Sequence, residues 1–139
     1  MNVAIEMHDS ECLAVEVNES GHGFVLFDAY VHRTEGEPGV AAGEGGVQRI
    51  RMKVEQMTIE GVVGKLPAYV YHGSLTIGSS VQDNMVPFPA ASSGPVRLRM
   101  MLSGDARIVT ILGTGISVEP EGEFEYVEQF EPPSKPSTL

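Results

Sequence analysis

The run from Val96 to Leu112 constrains this chain more than any other, because it reads as two strands folded back on one tight turn. Val96, Leu98, Met100 and Leu102 alternate with Arg97, Arg99 and Met101, the two-residue period by which a strand sends successive side chains to opposite faces. Gly104-Asp105 supplies the positive φ that a hairpin needs. With that pair as the loop, Val109 and Ile111 oppose Met100 and Leu98, while Ile108 and Leu112 share a face with Met101 and Arg97. Both faces are then partly covered, which places the hairpin centrally in a sheet. Such a protein presents its chemistry from loops and strand edges rather than from long helices.

The same alternation runs along the rest of the chain. Val3, Ile5 and Met7 predict a first strand ending in a turn at Asp9-Ser10, and Leu13, Val15 and Val17 resume it. Phe24 to Arg33, apolar on both faces at its start, reads as a central strand. Thr34 to Gly46, with five glycines and Pro38, reads as a long loop. In Gln48 to Val54 the apolar set is Ile50, Met52 and Val54; past Glu55 it becomes Met57 and Ile59, a change of parity that requires a β-bulge or a break near Glu55-Gln56, with the bulge the favoured reading. Ala68 to Ile77 is a strand and Gly78 to Asn84 a second loop. Met85 to Pro89 is an extended edge segment, since its prolines cannot donate to a ladder. A last strand carries Phe124, Tyr126 and Phe130 on one face, and Pro132 to Leu139 reads as a disordered tail. No apolar residues recur at helical spacing over a convincing length. About nine short strands with frequent turns predict an all-β domain over residues 1–131, an antiparallel two-sheet sandwich or flattened barrel.

A chain of 139 residues is long enough to bury roughly two-thirds of its unfolded surface without disulfides. Cys12 is the sole cysteine, so no intrachain bridge can form. With no basic-then-apolar leader and no run of about 20 apolar residues, a reducing cytoplasm is the expected compartment. The net charge of −10 opposes nucleic acid and anionic membrane, both of which carry the same sign. Acidic residues crowd the end of the chain at Glu119, Glu121, Glu123, Glu125, Glu128 and Glu131, while Arg49, Arg51, Lys53, Arg97, Arg99 and Arg107 hold most of the positive charge. These groups either face water and pair across the sheet, each exposed pair contributing about 0–1 kcal/mol, or form a strip that docks a basic protein.

Most chemical motifs fail on inspection. Gly113-Thr114-Gly115 lacks the third glycine and the following helix of a dinucleotide site. Gly43-Glu44-Gly45-Gly46 places a carboxylate where a phosphate loop needs Lys and Ser or Thr. Cys12 has no basic neighbour in sequence and reads as a small core residue. His8-Asp9-Ser10 contains the residue types of a hydrolase triad, but on one strand Asp9 faces away from the other two. His8, His22, His32 and His72 are scattered and the four aspartates form no D-x-D run, so neither metal nor cofactor is expected. One cluster survives. Asp28, Tyr30 and His32 share a face of one strand at steps of about 6–7 Å, and Glu128 stands between Tyr126 and Phe130. Meeting at one end of the fold, a carboxylate and an imidazole could do acid–base work; otherwise they are polar strand ends that bond to loops or solvent.

His8-Asp9-Ser10, Ala29-Tyr30-Val31-His32-Arg33, Val86-Pro87-Phe88-Pro89 and Tyr126-Val127-Glu128-Gln129-Phe130 resemble signatures of a family of short, uncharacterised bacterial all-β proteins. The resemblance spans nearly the whole chain up to Phe130. It implies a bacterial cytosolic single domain and transfers no catalytic residue.

The leading expectation for function is therefore a non-enzymatic binding or interaction domain, an acidic immunity-like or inhibitor-like protein that blocks a basic partner. A second reading is a small-molecule-binding or hydrolytic domain, whose pocket is roofed by the Thr34–Gly46 and Gly78–Gly94 loops and holds Asp28, His32 or Glu128. A third is a homo-oligomer or assembly subunit that pairs through the Pro87-Phe88-Pro89 edge.

Overall fold

The alternation that marks the hairpin recurs around the molecule until the sheet meets itself. The computed structural model describes residues 1–131, with ten strands and no helix among them; the expected tail from Pro132 onward lies outside the described residues. Strands β8 (Ala90–Leu102) and β9 (Arg107–Pro120) form the anticipated hairpin, with Met100 opposite Val109 and Leu98 opposite Ile111. Gly104, at φ +107°, takes the left-handed conformation that the turn requires, where a side chain would be strained.

Strand β2 (Gly23–Thr34) lies between β1 (Asn2–Val17) and β3 (Gly43–Glu55), and β5 (Ala68–Ile77) joins β1 to β8. The ring closes where β9 returns to β3, from Ile50 opposite Pro120 to Glu55 opposite Gly115. The result is a six-stranded antiparallel barrel. Four short strands lie outside the ring: β4 (Thr58–Glu60) on β9, β6 (Ser80–Asp83) on β5, β7 (Met85–Pro87) on β1 and β10 (Glu125–Phe130) on β3. Where the sequence predicts about nine strands in a two-sheet sandwich or flattened barrel, the protein forms a closed barrel with additions. Alternation specifies which side chains point inward in both architectures; it does not say which strand lies next door.

So narrow a ring leaves no lumen. Ile5, Met7, Phe27, Met52, Leu98 and Met100 point inward and are fully buried, filling the interior with side chains as small barrels do. Each such burial contributes about 1.5–3 kcal/mol, which dominates what holds the barrel closed.

Several local expectations are corrected. The turn at Asp9-Ser10 is a bulge inside one continuous β1: Glu6 faces Tyr30 and Glu11 faces Asp28, so Met7 to Ser10 stand against Ala29 alone. Asp9 there has φ +78°. The bulge expected at Glu55-Gln56 is a break between β3 and β4, with Gln56 at φ +48°. Both strands lie in line on β9 with unchanged register, Glu55 opposite Gly115 and Thr58 opposite Leu112. The apolar parity of β9 changes too, from Val109 and Ile111 to Ile116 and Val118, so partners switch together and no slip arises. The two long loops carry strand the sequence did not show: residues 35–42 stay irregular, but the end of the first loop and most of the second are paired. Gly43 to Gly46 pair with both β2 and β10; Ser80–Asp83 returns on β5 and Ala90 to Ser93 pair with β9. Met85–Pro87 pairs with β1, the edge position that its proline allows.

Candidate functional site

The sheet β10-β3-β2-β1 brings the distant ends of the sequence together on its outer face. Inward residues of β2 are Val25, Phe27, Ala29 and Val31, so Asp28, Tyr30 and His32 share the opposite face. Across β3 they meet Arg49, Val47 and Gly45 in register. A register shift in β10 sets Tyr126 opposite Gly46 and Glu128 opposite Gly45, neighbours that face opposite sides of the sheet. Glu128 thereby joins the face of Tyr30 and His32, while Tyr126 is 58% exposed. The aromatic face expected for the last strand is thus divided, with Glu128 and Tyr126 on different sides.

The four candidate residues do not converge on one point. Asp28 is held by Arg49 in a two-pronged ion pair, Nε to Oδ1 at 2.9 Å and a second guanidinium nitrogen to Oδ2 at 3.2 Å. Tyr30 donates its hydroxyl to Glu128 Oε1. His32 Nε2 lies 2.8 Å from Glu6 Oε2, and its ring stacks on Phe130 with centroids 4.6 Å apart and planes 9° from parallel. Tyr30 meets both rings edge-on. His32 is buried as a consequence, 7% exposed on a face that is otherwise half wet.

Burial and the adjacent Glu128 carboxylate push the Tyr30 phenol well above its ordinary value, so it stays protonated and acts as a donor. Ser10 is fully buried. Its hydroxyl donates to the Glu6 carbonyl at 2.6 Å and accepts from the Tyr30 amide at 3.0 Å, so it is spent on holding the β1 bulge. Burial likewise pushes the Cys12 thiol up to about 12, leaving it protonated and unreactive. The arrangement fastens β10 to the barrel wall through a carboxylate–phenol bond and a ring stack.

Sequence reasoning missed Glu6 and the glycines of β3. A Cβ on Gly45 would lie 2.6 Å from the Phe130 ring and against the Tyr30 hydroxyl, and one on Gly46 would lie 2.6 Å from Phe124. What reads as a flexible Gly-rich loop is a strand stripped of side chains so that aromatic rings can lie across it. The signal was present in the spacing of Gly45-Gly46 and of Phe124 and Phe130, but nothing in sequence pairs the two segments. Glu6 was legible only as an outward strand residue.

Two clefts open elsewhere on the surface. The larger, about 990 Å³, is lined by parts of β1, β2, β3, β8 and β9, among them Phe24, Arg51, Lys53, Ser92 and Ser117. The smaller, about 400 Å³, lies between Arg49 and the Glu121–Glu125 segment. Neither is lined by Asp28, Tyr30, His32 or Glu128. Of the segments expected to roof a pocket over these residues, Gly43 to Gly46 and most of Ser80 to Ser93 are instead paired into strands.

The charge strip separates into two populations. Glu121 grips Arg51 through two bonds of 2.9 Å, and Glu119 lies 3.0 Å from Lys53. These partners hold both carboxyls below the ordinary carboxylate value. Arg51 also stacks its guanidinium over Phe24 at 4.0 Å. Glu123, Glu125 and Glu131 form no ion pair among the described residues, and all are exposed.

No protein-family profile matches the chain, and no curated protein or solved structure matches it either.

Proposed function

We propose that the protein is a non-enzymatic binding module that docks a basic protein partner on the acidic region around β10. The observation that carries this reading is the state of β10 itself. Among the described residues it pairs with β3 alone, and it is exposed along its length except at Phe130. Glu123, Glu125 and Glu131 supply negative charge there that is not spent on ion pairs within the described residues, while Tyr126 and Val127 supply exposed apolar surface. Unpaired charge on a rim steers a partner of opposite sign and accelerates encounter, and an open strand edge offers backbone groups for pairing. The groups suited to acid–base work are each held by a separate partner: Asp28 by Arg49, Glu128 by Tyr30, His32 by Glu6.

The test is retention on the immobilised protein at low ionic strength. The expected result is a basic protein that is held by the wild type, released by salt and not held by the variant Glu123→Lys/Glu125→Lys. Equal retention by that variant, or no basic protein retained at all, overturns the reading.

A further inference from the structure

The β1 bulge does more than accommodate extra residues. By setting four residues against one, it turns the backbone so that Glu6, His8 and Asp9 each bring a potential ligand atom to one place, all within 4.8 Å of one another. On a regular strand Asp9 would face away from its neighbours. Here its left-handed backbone carries the carboxylate round to the imidazole, with His8 Nδ1 3.2 Å from Asp9 Oδ1.

We propose that Glu6, His8 and Asp9 form a binding site for a divalent transition-metal cation of the Zn²⁺ class. Three features support it. The donor set is one imidazole and two carboxylates, a mixture suited to first-row divalent metals rather than to Ca²⁺ or Mg²⁺, which prefer oxygen alone. Glu6 is oriented from behind by His32, itself buried and 2.8 Å away, the outer partner that ligating carboxylates characteristically have. The backbone under the site is pinned, with Asn84 accepting the Met7 amide through its carbonyl and the His8 amide through its side chain, both at 2.8 Å.

Ligand atoms around a metal at about 2.0–2.2 Å lie closer together than the widest separation here. His8 and Asp9 are exposed side chains, so closing that gap takes a rotamer adjustment and no movement of the core. The net charge of −10 adds a long-range attraction for cations. With three protein ligands, the metal would keep at least one position for water.

Zn²⁺ titration followed by calorimetry, with Co²⁺ as a visible-absorption probe, tests the proposal on the full chain. One equivalent is expected to bind at neutral pH. His8→Ala and Asp9→Asn are each expected to weaken binding at least tenfold, and His32→Gln by about 10–100-fold through loss of the outer partner. Asp9→Asn is the informative variant for folding, because Asn tolerates positive φ as well as Asp does; unchanged circular dichroism identifies its effect as one on the metal. His72→Ala removes the other exposed imidazole–carboxylate pair, His72 with Asp83 at 3.0 Å, and is expected to leave affinity unchanged. Absence of stoichiometric binding, or binding that survives His8→Ala and disappears with His72→Ala, overturns the site.

Discussion

Cys12 shows how completely surroundings can decide the chemistry of one residue. Its sulfur is fully buried opposite Phe27 in the β1–β2 ladder, and burial moves its ionisation from 9.0 to about 12. At pH 8 the folded protein is therefore expected to resist iodoacetamide over hours and to be labelled in guanidinium at the rate of a free thiol; rapid labelling of the folded form would show that the barrel is open there. The sign of the accompanying stability effect follows. A thiol whose folded pKa is raised stabilises the fold below its unfolded value, and that contribution is lost as pH rises from about 9 towards about 12. Unfolding temperature should fall more steeply over that alkaline range in the wild type than in Cys12→Ala. The core role of Cys12 was legible in the sequence from its lack of basic neighbours, because that argument needs only local context. The roles of Glu6 and Ser10 were not, since each depends on a bulge whose size is set by pairing with β2.

Strand β10 is the element on which the function proposal rests, and its attachment hangs on a residue with no side chain. Replacing Gly45 by Ala would drive a methyl group into Phe130 and the Tyr30 hydroxyl. The expected cost is about 1–3 kcal/mol in denaturant unfolding, as for other overpacked sites. Hydrogen exchange should quicken in the β10 amides while the amides of β8 and β9 keep their protection. Equal destabilisation everywhere, with no local gain in exchange, would mean that the strand is not fastened at this point. The hairpin β8–β9 makes the opposite case. Its register was readable from Val96 to Leu102 because one short turn fixes the pairings next to it, up to the shift between Ser93 and Val96, whereas β10 reaches β3 across a long stretch of chain and no turn geometry constrains it.

For the molecule as a whole, the cross-strand ion pairs and the negative charge pull in opposite directions as acid is added. Protonation relieves the repulsion inherent in a net charge of −10, yet it also breaks the pairs of Glu119 with Lys53 and Glu121 with Arg51. Both carboxyls sit below their ordinary 4.5, so their contribution is present above that value and is lost as pH falls through the lowered ones. Comparison with Arg51→Leu separates the two effects: the stability gap between wild type and variant should be constant from pH 7 to about pH 5 and shrink in stronger acid, as read by thermal unfolding. A gap that persists undiminished to pH 2 would mean that the Arg51–Glu121 pair contributes nothing, and that what the variant loses is the stacking of Arg51 on Phe24. The sequence alone determined that this is an all-β protein, the inward set of most strands though not of Leu13, Val15 and Val17, of which Val17 is exposed while Cys12 is buried instead, and how the central hairpin pairs next to its turn. Those properties follow from a two-residue period and from turn chemistry, both local. Closure into a barrel, the strand hidden in the glycine run, and the meeting of Glu6 with His32 and of Tyr30 with Glu128 were decided only by the tertiary structure, because each depends on which strands become neighbours, and alternation is blind to neighbours.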